Sequence, residues 1–101
     1  MSSRARLNED EITAALAALP QWKREGDSIA RTADAPDFPA AIRVVVSVAE
    51  QAEALDHHPD IDIRWRTLRF LLSTHSAGGL TGLDFTLAAR IDEALRVESA
   101  A

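Results

Sequence analysis

Cysteine is absent from this 101-residue chain, which removes disulfides, thiolate metal ligands and a cysteine nucleophile together and fits a reducing compartment. Basic residues are in the minority, 11 Lys and Arg against 16 Asp and Glu, so unspecific attraction to nucleic acid or anionic lipid does not organise the molecule. The opening Met1-Ser2-Ser3-Arg4 leads into no apolar h-region, and no run approaches the ~18 apolar residues of a membrane span. The expected location is therefore the cytoplasm. There are no repeats, no interdomain linker, and no GxGxxG or P-loop to cradle phosphate. What remains is a globular composition, 47% hydrophobic and 27% charged, in a length that suits one domain over residues 1–101 with 1–7 as a flexible lead. A domain of this size hides about two-thirds of the surface of its unfolded chain, so its core is thin and oligomerisation would help it.

Leu7-Asn8-Glu9-Asp10-Glu11-Ile12 has the form of a helix start, with Asn8 as N-cap, Glu11 reaching back and Leu7 stapled to Ile12. Ile12, Ala15, Leu16 and Leu19 share one face, and Pro20 stops the run, which predicts a first helix over residues 9–19. Between Gln21 and Asp34, short runs carrying Trp22 and Ile29 flank Gly26-Asp27 and predict a hairpin. Asp37 then caps a long helix with Pro39 in its first turn. Its apolar stripe is read as Phe38, Ile42, Val45, Val46, Ala49 and Ala52, and Pro59 predicts an end near Asp56 or His57. Ile61, Ile63 and Trp65 alternate with polar residues, and Leu68, Phe70 and Leu72 repeat the pattern, so two strands follow. After the turn at Ser76-Ala77-Gly78-Gly79, Thr81 and Asp84 have capping-box spacing ahead of a last helix reaching about Val97. The expected fold is α+β: a single-layer, four-stranded antiparallel sheet with three helices packed on one face, in the order α-β-β-α-β-β-α.

The three histidines, His57, His58 and His75, fall at element ends, and histidine is the side chain suited to giving and taking protons near neutrality. Glu53 precedes His57 by one helical turn and is placed to orient its ring if the helix continues that far. Each residue also has a plainer reading. A histidine is favourable at a helix C-terminus, Glu53 suits a solvated helix face, and Asp84 is useful as a cap alone. Trp22 and Trp65 suit core or rim positions, and Gly78-Gly79 a simple turn. Three histidines can hold a catalytic zinc, but no HxH or HxxxH spacing puts two of them on one face, so no metal is expected.

The run Glu53-Ala54-Leu55-Asp56-His57-His58-Pro59, the aromatic Trp65, and Ser73-Thr74-His75 followed by Gly79-Leu80-Thr81 and Asp84 resemble the signature of the pterin-4a-carbinolamine dehydratase family. The first helix followed by Trp22 and the Asp37-Phe38 opening of the long helix extend the resemblance over nearly the whole chain. It implies dehydration of 4a-hydroxytetrahydropterin, the recycling step that follows an aromatic amino acid hydroxylase. His57, His58 and His75 would be the acid and base candidates, with His58 and His75 foremost. Glu53, Asp84, Trp65, Pro59 and Thr74 would support the rings or contact substrate. No cofactor is implied, the pterin being the substrate, and the family forms homodimers or homotetramers through sheet edges and the long helix. Asp60-Ile61 departs from the acidic-aromatic pair common at that point, so the pocket wall there is expected to differ.

Two other functions compete. A protein-binding or assembly module can stand on the same fold, since fold alone does not set function, and the complete histidine and carboxylate set counts against a purely non-catalytic role. A zinc hydrolase built from the same histidines would carry stoichiometric metal.

Overall fold

A computed structural model of the chain describes residues 4–100. They form α1 (Glu9–Ala17), β1 (Lys23–Glu25), β2 (Ser28–Asp34), α2 (Phe38–Leu55), β3 (Asp60–Arg64), β4 (Thr67–Leu72) and α3 (Gly82–Ala100), with a 3-10 turn at His75–Ala77. The strands make one antiparallel sheet in the order β1-β2-β4-β3, so the architecture is the expected α+β arrangement. Ile29 pairs with Leu72, and Ile61 and Ile63 pair with Phe70 and Leu68. Strand alternation then sends Ile29, Leu68, Phe70 and Leu72 to one face, where they meet Ile12 of α1, Val44 and Val48 of α2, and Leu87 and Ile91 of α3 in a common core.

The start of α1 is as read: the Asn8 side chain accepts from the Glu11 N–H at 2.8 Å, and Glu11 accepts from the Asn8 N–H at 2.9 Å. The helix ends at Ala17, two residues short of the expected Leu19, because Pro20 disfavours the helical conformation before it. The last carbonyls are taken by tighter bonds, Ala18 N–H to Ala15 and Leu19 N–H to Leu16. At the other end of the chain α3 runs to Ala100 rather than stopping near Val97.

In α2 the buried side is Ala40, Ala41, Val44, Val48 and Ala52, so of the predicted stripe Ala52 is buried and Val45 packs against the core from a half-buried position, while the rest faces outward. Phe38, Ile42 and Val46 point outward at 46%, 37% and 53% exposure. Apart from the polar Arg43-Ser47-Glu50 side, the helix is apolar around most of its circumference, and periodicity alone cannot choose which part of so wide an apolar surface is buried. Packing against α3 and the core selects the side that carries the small residues Ala40, Ala41 and Ala52.

Trp65 is also placed differently from its predicted strand position. Arg64 pairs with Thr67, which leaves Trp65 and Arg66 as a two-residue hairpin turn. Trp65 takes the positive φ of 56° that such a turn requires, and is 71% exposed. The Arg66 guanidinium lies 5.3 Å from its ring centroid, and Arg66 Nη1 anchors the turn by donating to the Ala35 carbonyl at 2.9 Å.

Residues 1–3 of the expected flexible lead lie outside the described residues, and from Arg4 onward the lead is engaged. The Leu7 N–H donates to the Leu80 carbonyl at 2.8 Å, and Arg6 bridges to Thr81. Trp22 is a core residue, 4% exposed, whose indole N–H donates to Asp92 at 2.8 Å. Arg31, facing the helices from β2, reaches the same Asp92 oxygen at 2.6 Å and ties the first hairpin to α3.

Candidate active site

The site begins where α2 ends. Asp56 closes the helix in the left-handed conformation, φ 49°, and the His57 and Asp56 N–H groups return to the Ala52 and Glu53 carbonyls at 3.0 and 3.2 Å. Aspartate tolerates this conformation better than most residues. The reversal turns His57 inward, to 7% exposure, and leaves His58 outside. Glu53 consequently meets His58 and not His57: His58 Nε2 lies 2.5 Å from Glu53 Oε2. The expected Glu53–His57 pairing required a helix that continues past Leu55, and it does not. Pro59, half-buried, then carries the chain out toward β3.

His57 has a different carboxylate. Its Nε2 lies 2.6 Å from Oδ1 of Asp84, which is fully buried at the start of α3. Asp84 Oδ2 accepts the Thr81 N–H at 2.9 Å and the Thr74 hydroxyl at 2.8 Å. The capping role and the histidine contact predicted separately for Asp84 are thus performed by its two oxygens. Thr74 has one hydroxyl proton and spends it on Asp84, so in its 2.9 Å contact with Thr81 it accepts and Thr81 donates. The Thr81 oxygen in turn accepts the Leu83 N–H at 3.3 Å. The donor directions among Thr74, Thr81 and Leu83 are thus fixed, and in a neutral His57 ring that donates to Asp84 from Nε2 the lone pair sits on Nδ1. Nδ1 has no hydrogen-bond partner among the described residues and is not among the buried unpartnered polar atoms, so it keeps access to solvent.

His75 comes from the opposite wall. The Thr74 N–H donates to the Gly79 carbonyl at 3.0 Å and closes a loop over residues 74–79, with Gly78 left-handed at φ 70°. His75 sits in this loop, exposed, and its imidazole has no hydrogen-bond partner among the described residues. His57, His58, Thr74 and His75, with Asp56 and Arg4, line one open cavity of about 280 Å³. A second, of about 210 Å³, lies against the same Ser73-Thr74-His75 segment and extends to Asp27 and Ser28 of the first hairpin turn.

Most of the expected site residues therefore converge. Glu53 enters through His58, Asp84 through His57, and Thr74 lines the cavity with the rings, whereas Pro59 follows His58 without lining it. Trp65 is at the far end of the β3–β4 hairpin, roughly 15 Å from the histidine end by strand rise, and is not brought to the cavity within this chain. Sequence reasoning missed Thr81 as part of the buried hydroxyl chain, because its capping position already explained it. It also missed Arg4, which carried no local signal. Among the described residues no group of three His, Asp or Glu side chains is arranged to hold a metal ion, and no helix is long and apolar enough to cross a membrane.

Comparison with known proteins bears on this arrangement. The family model described as pterin 4 alpha carbinolamine dehydratase matches residues 5–94. A Nocardia farcinica relative assigned by name to pterin-4-alpha-carbinolamine dehydratase is 61% identical over 90 residues, covering 89% of this chain and 95% of its own. A relative of the same assigned name in Roseiflexus castenholzii is 58% identical over 89 residues, covering 88% and 96%. A solved structure described as a transcriptional coactivator/pterin dehydratase from Brucella melitensis superposes with a TM-score of 0.86 at 34% identity, covering 89% of this chain and 98% of that one. At 17% identity and a TM-score of 0.64, covering 74% of this chain and 89% of that one, a pterin dehydratase-like RuBisCO assembly factor of the alpha-carboxysome shares the fold.

Proposed function

Because the chain belongs to the pterin-4a-carbinolamine dehydratase family, we propose that it dehydrates 4a-hydroxytetrahydropterin to the quinonoid dihydropterin. The observation that carries this reading is the convergence of three histidines on one cavity, one of them hydrogen-bonded to a buried carboxylate. In the elimination the N5–H bond and the C4a–O bond break, the C4a=N5 bond forms, and the hydroxyl leaves as water after protonation. One group must take the N5 proton and another must supply a proton to the leaving oxygen.

His57 is the proposed base. His57 lines the cavity, and Asp84, held at Nε2, is placed to stabilise the imidazolium that forms when the other ring nitrogen takes a proton, the role of the aspartate in histidine–aspartate pairs generally. His75 is the proposed acid, since neither ring nitrogen is committed to the protein and solvent can restore its proton. His58, oriented by Glu53, is placed to serve the opposite face of the ring or the other stereoisomer. This revises the expected order of importance, in which His58 and His75 stood first. The residues present supply both proton transfers, and the proposal assigns no cofactor.

The same reading places the enzyme in the cytoplasm, recycling pterin after an aromatic amino acid hydroxylase. It makes the chain a homodimer or homotetramer, with the exposed Phe38-Ile42-Val46 stripe of α2 as covered surface. Turnover of freshly generated 4a-hydroxytetrahydropterin, followed by absorbance, tests the function. Acceleration by the wild type is expected, with a loss of about a hundredfold or more in kcat for His57→Ala. No acceleration by folded protein would move a partner-binding role on this fold to first place.

A further inference from the structure

The N-terminal segment touches both histidine-bearing walls of the cavity. On one side Arg6 bridges to Thr81 and the Leu7 N–H bonds to Leu80, which holds the segment along the chain that leaves the His75 loop. A Cβ on Gly79 would come within 2.9 Å of Arg6 Nε, so the Arg6 side chain lies directly on that glycine. On the other side Arg4 Nη2 donates to the Asp56 carbonyl at 3.2 Å and lies 3.7 Å from the Asp56 carboxylate, next to His57 and His58. Arg4 and Asp56 both line the cavity, and both are partly or largely open to solvent, at 47% and 89% side-chain exposure.

A guanidinium beside a carboxylate at a cavity mouth offers a donor and an acceptor a few ångströms apart. The lactam edge of a pterin is the complement: its 4-oxo group accepts and its N3–H donates. We propose that Arg4 and Asp56 recognise this edge, Arg4 donating to the 4-oxo group and Asp56 accepting from N3–H, and so orient the pterin ring with its reacting bond toward the histidines. The inference rests on the dehydratase reading for the identity of the ligand and assigns Arg4 a binding duty that the histidine chemistry does not require. It also gives the ordered lead a purpose, because pairing of Arg6 and Leu7 with the Leu80-Thr81 segment positions Arg4 at the mouth.

The test compares two ligands by calorimetry: 7,8-dihydrobiopterin and its 4-amino counterpart, in which the 4-substituent donates and N3 accepts. Wild-type protein should prefer the 4-oxo ligand by about tenfold or more, the range of one charge-assisted hydrogen bond. Arg4→Ala should lose most of that preference by weakening only the 4-oxo ligand, and Arg4→Lys should recover part of it, a point charge replacing the fork. Equal binding of each ligand by wild type and Arg4→Ala would overturn the inference while leaving the pterin reading in place. Failure of the wild type to bind either pteridine would overturn both.

Discussion

At Asp84, one fully buried carboxylate joins a helix start to a candidate base. Oδ2 takes the Thr81 N–H and the Thr74 hydroxyl, and Oδ1 holds His57, so a single substitution disturbs three partners. Asp84→Ala should cost about 3 kcal/mol of stability, because the donors it leaves have no water to replace it, and a urea titration reads this directly. Asp84→Asn should keep more of the fold yet lower kcat by about a hundredfold, since the amide does not stabilise an imidazolium. Nitrogen NMR of the wild-type His57 ring should show the proton on Nε2. A proton on Nδ1 would contradict the assignment of that nitrogen as base. The histidines were legible in the sequence because their chemistry is tied to residue type and they gather at element ends. Their partners were half legible. Glu53 was paired with the wrong ring, since the left-handed Asp56 that ends α2 is a one-residue event no periodicity reveals.

At the scale of elements, strand alternation and capping signals placed six of the seven main elements within about two residues, α3 alone running three residues past its expected end, and the differences have local causes. Trp65 continued an alternating pattern by residue type, yet the turn between β3 and β4 needed a positive φ and took it. A left-handed L-residue costs about 1–2 kcal/mol, which the exposed Arg66–Trp65 contact only partly offsets. Trp65→Asn should therefore raise stability by about 0.5 kcal/mol, seen as a Tm increase of about 2–4 °C. At the opposite edge of the sheet, Arg24 of β1 pairs with Glu9 at the start of α1. The hydrogen bond from Arg24 holds the Glu9 carboxyl below the usual carboxylate range. With the folded value depressed, the pair contributes above the ordinary carboxyl pKa, and that contribution is lost as pH falls through the depressed value. In Arg24→Ala the Glu9 carboxyl should titrate higher, toward its ordinary value, by carbon NMR. An unchanged titration would mean the ion pair does not persist in solution.

Across the whole molecule, the two sheet faces and the outer helix face differ in what they leave open. The face away from the helices carries charge pairs such as Arg69–Glu25 and Arg64–Asp62, whereas three exposed apolar side chains, Phe38, Ile42 and Val46, share one side of α2, with Ile63, Trp65 and Val97 exposed elsewhere. Periodicity could not tell which α2 face would be buried, because tertiary contact chose the small-residue side and left the larger residues out. If that stripe is covered by a second copy, Val46→Lys should shift the light-scattering mass toward the monomer; an unchanged oligomer would place the interface elsewhere. The fold, the cavity and the buried Asp84–His57 pair then serve one proposed reaction, and its kinetics test the account most directly. Single-turnover dehydration of 4a-hydroxytetrahydropterin should be fast with the wild type and about a hundredfold or more slower with His57→Ala, at pterin concentrations that saturate both. Equal rates for the two proteins would contradict the assignment of His57 as the base.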